Sequence, residues 1–299
     1  MRVSKRLSSG VLLLSLILTG CGAKAANPQE SQSPYPVLRI HVGDVSRMSQ
    51  LPLIVAQKLG FFANLHLSVR TTSKAAPVTV STPGTRWPLV GWVATRPDLM
   101  LMAPIPDPHF RLRALSGLPM PYASGVASEM VWAKAVLSHQ RTRISAWHPM
   151  RFTEIEALWK RHHLPWVMVN LAEAQRLHSI DPKSVTLAWL GASTGPVPAV
   201  AVSAESEGPR VSRFLAALNL ALWYLRTTPP GTVARSINQP GLSARAIRAA
   251  LHYQYWPATT YPDAAAYNRA RTLLEAAWPA YGKAAVLQDA RQALKEFGK

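Results

Sequence analysis

The sequence offers few constellations that could carry chemistry. Gly191-Ala192-Ser193-Thr194-Gly195 fits G-x-S-x-G, the spacing of a nucleophile elbow. There, a sharp strand-to-helix turn exposes the serine, and helix amides stabilise an oxyanion. The residues that follow, Pro196 to Val202, read as a strand rather than a helix, and His252 is the only histidine downstream. The stretch therefore reads as a return hinge or a cleft loop. Nine histidines raise the question of a metal. His162 and His163 are adjacent, so they fall on different faces of a helix, and no H-x-x-x-H or H-E-x-x-H spacing occurs. Surface or capping histidines are expected, and no metal. Neither a Walker A loop nor G-x-G-x-x-G is present, so no nucleotide cofactor is implied, nor any other.

The single cysteine, Cys21, has a different chemistry. Arg2, Lys5 and Arg6 precede a short apolar run from Val11 to Leu18, too short to span a membrane at roughly twenty residues. Leu18-Thr19-Gly20-Cys21 closes that run in a pattern that resembles the bacterial lipobox, whose cysteine is diacylated and becomes the mature N-terminus. Residues 1–20 then read as a lipoprotein signal peptide and 21–36 as a flexible, polar tether. An intramolecular disulfide is impossible with one cysteine. Roughly 260 residues remain, which suits one two-lobed domain.

Thirty-three Lys and Arg against fifteen Asp and Glu give a net charge of +18. The basic residues are scattered singly, without a Lys/Arg run, zinc-finger spacing or RNP-like aromatic motif, so a nucleic-acid partner is not expected. An anionic solute, an anionic envelope surface or acidic surroundings would each account for the charge.

The elements that position polar loops are clearest at 38–70. Leu38, Ile40 and Val42 alternate with Arg39 and His41 as in a half-buried strand. The polar stretch Ser46-Arg47-Met48-Ser49-Gln50 follows. Pro52 then opens a helix with Leu53, Ala56 and Leu59 at helical spacing, Gly60 ends it, and Leu65, Leu67 and Val69 alternate as a second strand. This βαβ unit aims a polar loop and a helix N-terminus at the carboxyl edge of a sheet, where open α/β sheets hold small ligands.

Pro52-Leu53, Ala56, Gly60, Phe62 and Leu67-Ser68-Val69 resemble the opening of the nitrate/sulfonate/taurine/thiamine-precursor group of ABC-importer solute-binding proteins, the type II periplasmic binding proteins. A second likeness runs from Ala199 to Ile237: strand, short loop, long helix with Val211, Phe214, Leu215, Leu218, Leu222 and Leu225 on one face, then Thr228-Pro229 and a further helix. The family pattern is departed from at 71–98, where Pro97 replaces a glycine before Asp98.

The resemblance implies an α/β fold of two lobes, each a mixed sheet flanked by helices, with a ligand cleft between them. It places lobe one at 37–122 plus 199–299 and lobe two at 123–198. Within this frame Leu89–Thr95 reads as a short helix, Leu99–Met102 as a strand running into a stiff cleft-bordering loop at 103–109, and Arg111–Leu115 as a strand. Pro119–Gly125 reads as the first inter-lobe crossing, Thr142–Trp147 as a strand, and Asp263–Tyr281 as the closing helix. The implied function is an extracytoplasmic solute-binding lipoprotein that captures a small anionic or aromatic/heterocyclic solute. It would deliver the solute to an ABC permease and its ATPase, as a monomer held to the membrane by the lipid on Cys21, with no enzymatic step. The candidate contacts are Ser46, Ser49, Gln50, Thr85 and Arg86 on lobe one, and Trp147, His148, Trp189, Ser193 and Thr194 on lobe two. The same hydroxyls also suit helix caps. The alternatives are an enzyme on the same fold, of the kind used in pyrimidine-precursor or menaquinone biosynthesis, and a sensor or scaffold lipoprotein.

Overall fold

The computed structural model describes residues 34–83, 89–206, 208–261 and 263–277. The signal segment, Cys21, Thr85, Arg86 and the end of the closing helix lie outside the described residues. Strand β1 (Val37–Val42) buries Leu38 and Ile40 while Arg39 faces solvent. Helix α1 (Leu51–Lys58) carries Pro52 in its first turn. Gly60 takes φ +73° between α1 and the single turn α2 (Phe61–Asn64), a conformation that suits glycine. Strands β2 (Ser68–Thr72) and β3 (Val78–Ser81) both pair parallel to β1.

Residues 89–94 form strand β4 (Leu89–Ala94), not the expected helix. All six are buried, so no alternation was there to read. The outer edge of β4 is covered: the Trp92 amide donates to the Thr260 carbonyl at 2.8 Å, and its indole N–H to the Thr259 carbonyl at 2.7 Å.

The chain leaves the first sheet at 95–99, because β5 (Met100–Ala103) already belongs to the second. The crossing expected at Pro119–Gly125 is instead strand β6 (Pro119–Ala123) of that second sheet, followed by a 3-10 segment at Ser124–Glu129. Arg111–Leu115 likewise gives a 3-10 turn at Leu112–Leu115 rather than a strand. Then come α3 (Met130–His139), β7 (Ala146–Met150), α4 (Phe152–Trp159), β8 (Val167–Val169), α5 (Leu171–Ile180), β9 (Val185–Trp189) and the short α6 (Leu190–Thr194). The sheet order is β7-β6-β8-β5-β9. Strand β6 runs parallel to β7 and β8, whereas β5 is antiparallel to β8 and β9. The loop at 104–109 follows the C-terminal end of β5 and so lies at the opposite end of the sheet from the C-terminal end of β6.

The return crossing is 195–199, after which β10 (Val200–Ala204) inserts antiparallel between β3 and β4, completing the order β2-β1-β3-β10-β4. The two crossings lie side by side, with the Val197 amide donating to the Thr95 carbonyl at 2.8 Å. Helix α7 (Pro209–Thr227) buries Phe214, Leu218, Leu222 and Leu225 against the first sheet's helices, and Phe214 stacks on Phe62 with ring centroids 5.5 Å apart. Helices α8 (Pro230–Ile237), α9 (Ala244–His252) and α10 (Ala264–Ala277) follow. Helix α10 packs on α3 and α6, so residues 264–277 lie against helices of the second sheet although the expected lobe one included them. Among the described residues no helix is long and apolar enough to cross a membrane.

Candidate functional site

The loop between β1 and α1 meets the 3-10 segment after β6 in front of the crossings. The Ser46 amide donates to Glu129 Oε1 at 3.1 Å, and the Ser49 hydroxyl donates to the same oxygen at 3.0 Å. The Asp98 amide, in the first crossing, donates to Glu129 Oε2 at 2.7 Å. Ser46 Oγ donates to Asp98 Oδ2 at 2.7 Å, while the Leu171 amide, at the start of α5, donates to Asp98 Oδ1 at 2.7 Å. The Tyr255 hydroxyl stands 2.6 Å from Ser49 Oγ. A second bridge runs from the Ser128 hydroxyl to the Asp44 carbonyl. One set of bonds thus ties both sheets and a crossing together.

All five side chains of this network are buried. Fully burying two carboxyls is costly unless donors surround them, and here Glu129 receives three and Asp98 two. Burial pushes the Asp98 carboxyl up to about 7, and the neighbouring Glu129 pushes it the same way. Burial raises Glu129 as well. Glu173, which caps α5 with Asn170, is raised by burial and then by Glu129. Tyr255 is held well above its ordinary value, first by burial and then by the two carboxyls. The site is a proton-holding junction of hydroxyls and carboxyls, with one acid poised near neutrality.

Of the residues singled out from sequence, the structure brings Ser46 and Ser49 into this junction. Gln50 stays beside them but turns back, its Nε2 donating to the Val45 carbonyl at 2.7 Å. Trp189 ends β9 near the crossings, with the Arg96 guanidinium 5.4 Å from its ring and the Tyr253 ring at 4.5 Å. Thr194 is buried but spends its hydroxyl on the Gly191 and Gly195 carbonyls, and Ser193 is exposed. The G-x-S-x-G stretch is therefore a helical turn with its serine on the exposed side. Its glycine has a packing reason: a Cβ on Gly191 would lie 2.7 Å from Trp189 Cε2 and 2.8 Å from the Pro97 carbonyl oxygen.

Trp147 and His148 are not brought to the junction. Strand β7 starts at Ala146 rather than at Thr142. Its end nearest the junction is Met150, which pairs with Ala123, so Trp147 sits towards the other end and His148 is exposed. Sequence reading passed over Asp98, Glu129 and Tyr255. A usable signal existed for the acids. Glu129 is the single acidic residue between Asp107 and Glu154, and Asp98 abuts the apolar run Leu99–Met102. Acids that are rare and sit against apolar segments are candidates for burial. Among the described residues no group of histidine, cysteine or acidic side chains is arranged to hold a metal ion.

Two mixed five-stranded sheets, joined by paired crossings with a polar junction in front of them, define a two-lobed α/β architecture. No protein-family model matches the sequence, and no curated protein does. Solved structures do. A protein from Bordetella bronchiseptica RB50 superposes with a TM-score of 0.65 at 13% identity, over 88% of this chain and 98% of the other. The periplasmic aliphatic sulphonate binding protein SsuA from Escherichia coli gives 0.62 at 13% identity, over 86% and 91%. The desulfurization enzyme DszB gives 0.54 at 12% identity, over 86% and 95%. At these identities the likeness is one of fold: the chain has the type II periplasmic-binding-protein fold, which carries binding proteins and at least one enzyme.

Proposed function

We propose that this chain is the extracytoplasmic solute-binding component of an ABC importer, lipid-anchored through Cys21 and monomeric. It captures a small solute between its two sheets and passes it to a permease energised by a separate ATPase. The observation that carries this reading is the junction itself: Ser46 and Ser49 from the first sheet's loop bond Glu129 of the second, and Asp98 in the first crossing accepts from both Ser46 and the Leu171 amide. A solute that contacts both sides shifts the hinge equilibrium toward closure.

One observation favours a second reading, an enzyme. A carboxyl poised at about 7, hydrogen-bonded to a serine, is what general acid–base catalysis uses. A thermal-shift screen of aminopyrimidines, sulfonates and nitrate, with mass analysis of each mixture, separates the two. A ligand at 100 times its dissociation constant adds about 2.7 kcal/mol. A hit recovered unchanged supports binding, a hit consumed supports the enzyme, and silence from folded protein removes both. Cys21→Ser is expected to move the protein from the membrane fraction to the soluble fraction.

A further inference from the structure

At the other end of the second sheet lies a cavity of about 540 Å³, walled by Lys134, Arg141, Thr142, Arg143, Ile144 and Trp147. That volume falls within the roughly 300–1,000 Å³ of small-molecule sites. Three cations line it and, among the described residues, no carboxylate does. Among the described residues, none of the three cations has an acidic partner. The Lys134 ammonium lies 5.7 Å from the centre of the Trp147 ring, which fixes it over a flat apolar wall. Thr142 completes the wall between the two arginines.

Cations often gather at the C-terminus of a helix, and α3 ends here. That does not account for this set. The last carbonyls of α3 are already capped by backbone: Val136 by the Gln140 amide, Leu137 by Thr142 and Ser138 by Arg141. Lys134 sits in the body of α3, and Arg143 lies beyond its end. Three like charges around one hollow repel each other. A multiply oxygenated anion would convert that repulsion into charge-assisted hydrogen bonds, two of them from guanidinium forks.

We propose that this cavity binds a phosphate or sulfonate group, held by Lys134, Arg141 and Arg143, with the attached carbon skeleton against Trp147. The site is separate from the junction and does not depend on what the junction binds. Two sources carry this chemistry, a dissolved organic phosphate or the headgroup of an anionic phospholipid, and the net charge of +18 suits either.

The test uses the full chain labelled with 5-fluorotryptophan and phenyl phosphate as probe, the Trp147 resonance being assigned with Trp147→Phe. Phenyl phosphate should shift that resonance with saturation. Arg141→Gln/Arg143→Gln should weaken binding at least about tenfold, and raising salt from roughly 0.05 to 0.5 M should weaken it in the wild type. Lys134→Gln is an independent variant should the double one fail to fold. In a second arm, cosedimentation with phosphatidylcholine vesicles is compared with and without phosphatidylglycerol. Loss of phenyl phosphate binding alone in the variants assigns the site to a soluble anion, and loss of both assigns it to headgroups too. An unmoved Trp147 resonance, or variants that bind like the wild type in both arms, overturns the proposal.

Discussion

The two ends of the second sheet handle charge in opposite ways. Near the crossings, Asp98 and Glu129 are fully buried and receive five hydrogen bonds between them. At the far end Lys134, Arg141 and Arg143 are exposed around an open cavity, and none has an acidic partner among the described residues. The chain is strongly basic, yet its acids are the charged groups that organise the interior. A buried charge must be matched by donors or be neutralised, so it dictates the positions of everything around it. An exposed charge dictates almost nothing about the fold and stays available to a partner. The first end should therefore govern stability and hinge geometry, the second only recognition.

The sharpest break of this contrast is Glu129→Ala. It strands the Ser46 and Asp98 amides and takes one acceptor from the Ser49 hydroxyl, and the expected loss is about 3 kcal/mol, read from urea unfolding. A loss under about 1 kcal/mol would mean that water or relaxation satisfies these donors and that the junction does not hold the sheets together.

The next effect is on pH dependence. The Asp98 carboxyl is raised from its ordinary 3.8 to about 7, so the folded protein holds a proton that the unfolded chain gives up. Its stabilising contribution is complete below about pH 4, falls as pH rises toward 7, and is absent above that. The slope in this window is at most about 1.4 kcal/mol per pH unit. Glu129 and Glu173 act in the same direction. Asp98→Asn keeps an acceptor for Ser46 and removes the titration, so its stability should change less between pH 5 and 8 than the wild type's. Parallel curves for the two proteins would refute the assignment.

Smaller again is Tyr255→Phe. It removes one hydrogen bond to Ser49 while Ser49 keeps Glu129 as acceptor, and about 1 kcal/mol is expected in the same unfolding assay.

How much of this was legible follows the same line. The β1–loop–α1 unit could be read because one face of each element meets solvent, and Ser46 and Ser49 came with it. Strand β4 could not, because burial on every side erases alternation. The crossing was misplaced because Pro119 and Pro121 look like punctuation. They are tolerated in β6 since β8 is three residues long and meets β6 only at Tyr122, leaving little ladder on that side to interrupt. Asp98, Glu129 and Tyr255 lie far apart in sequence, and only the packed chain shows that they share two serines. Trp147 was read as a ligand contact from its place near a strand end. The strand begins later than its pattern suggested, and that shift carries the ring to the basic cavity instead.

The smallest expected effect tests the other half of the comparison. Arg143→Gln removes one of three like charges that no acid among the described residues balances, so its unfolding free energy should stay within about 0.5 kcal/mol of the wild type's, or rise as repulsion is relieved. The measurement is the same urea titration, at low salt where the repulsion is least screened. A loss above about 1 kcal/mol would show that the Arg143 stem packs as part of the wall. The cavity's cations would then be holding structure, as Asp98 and Glu129 do, and the two ends of the sheet would differ in sign but not in kind.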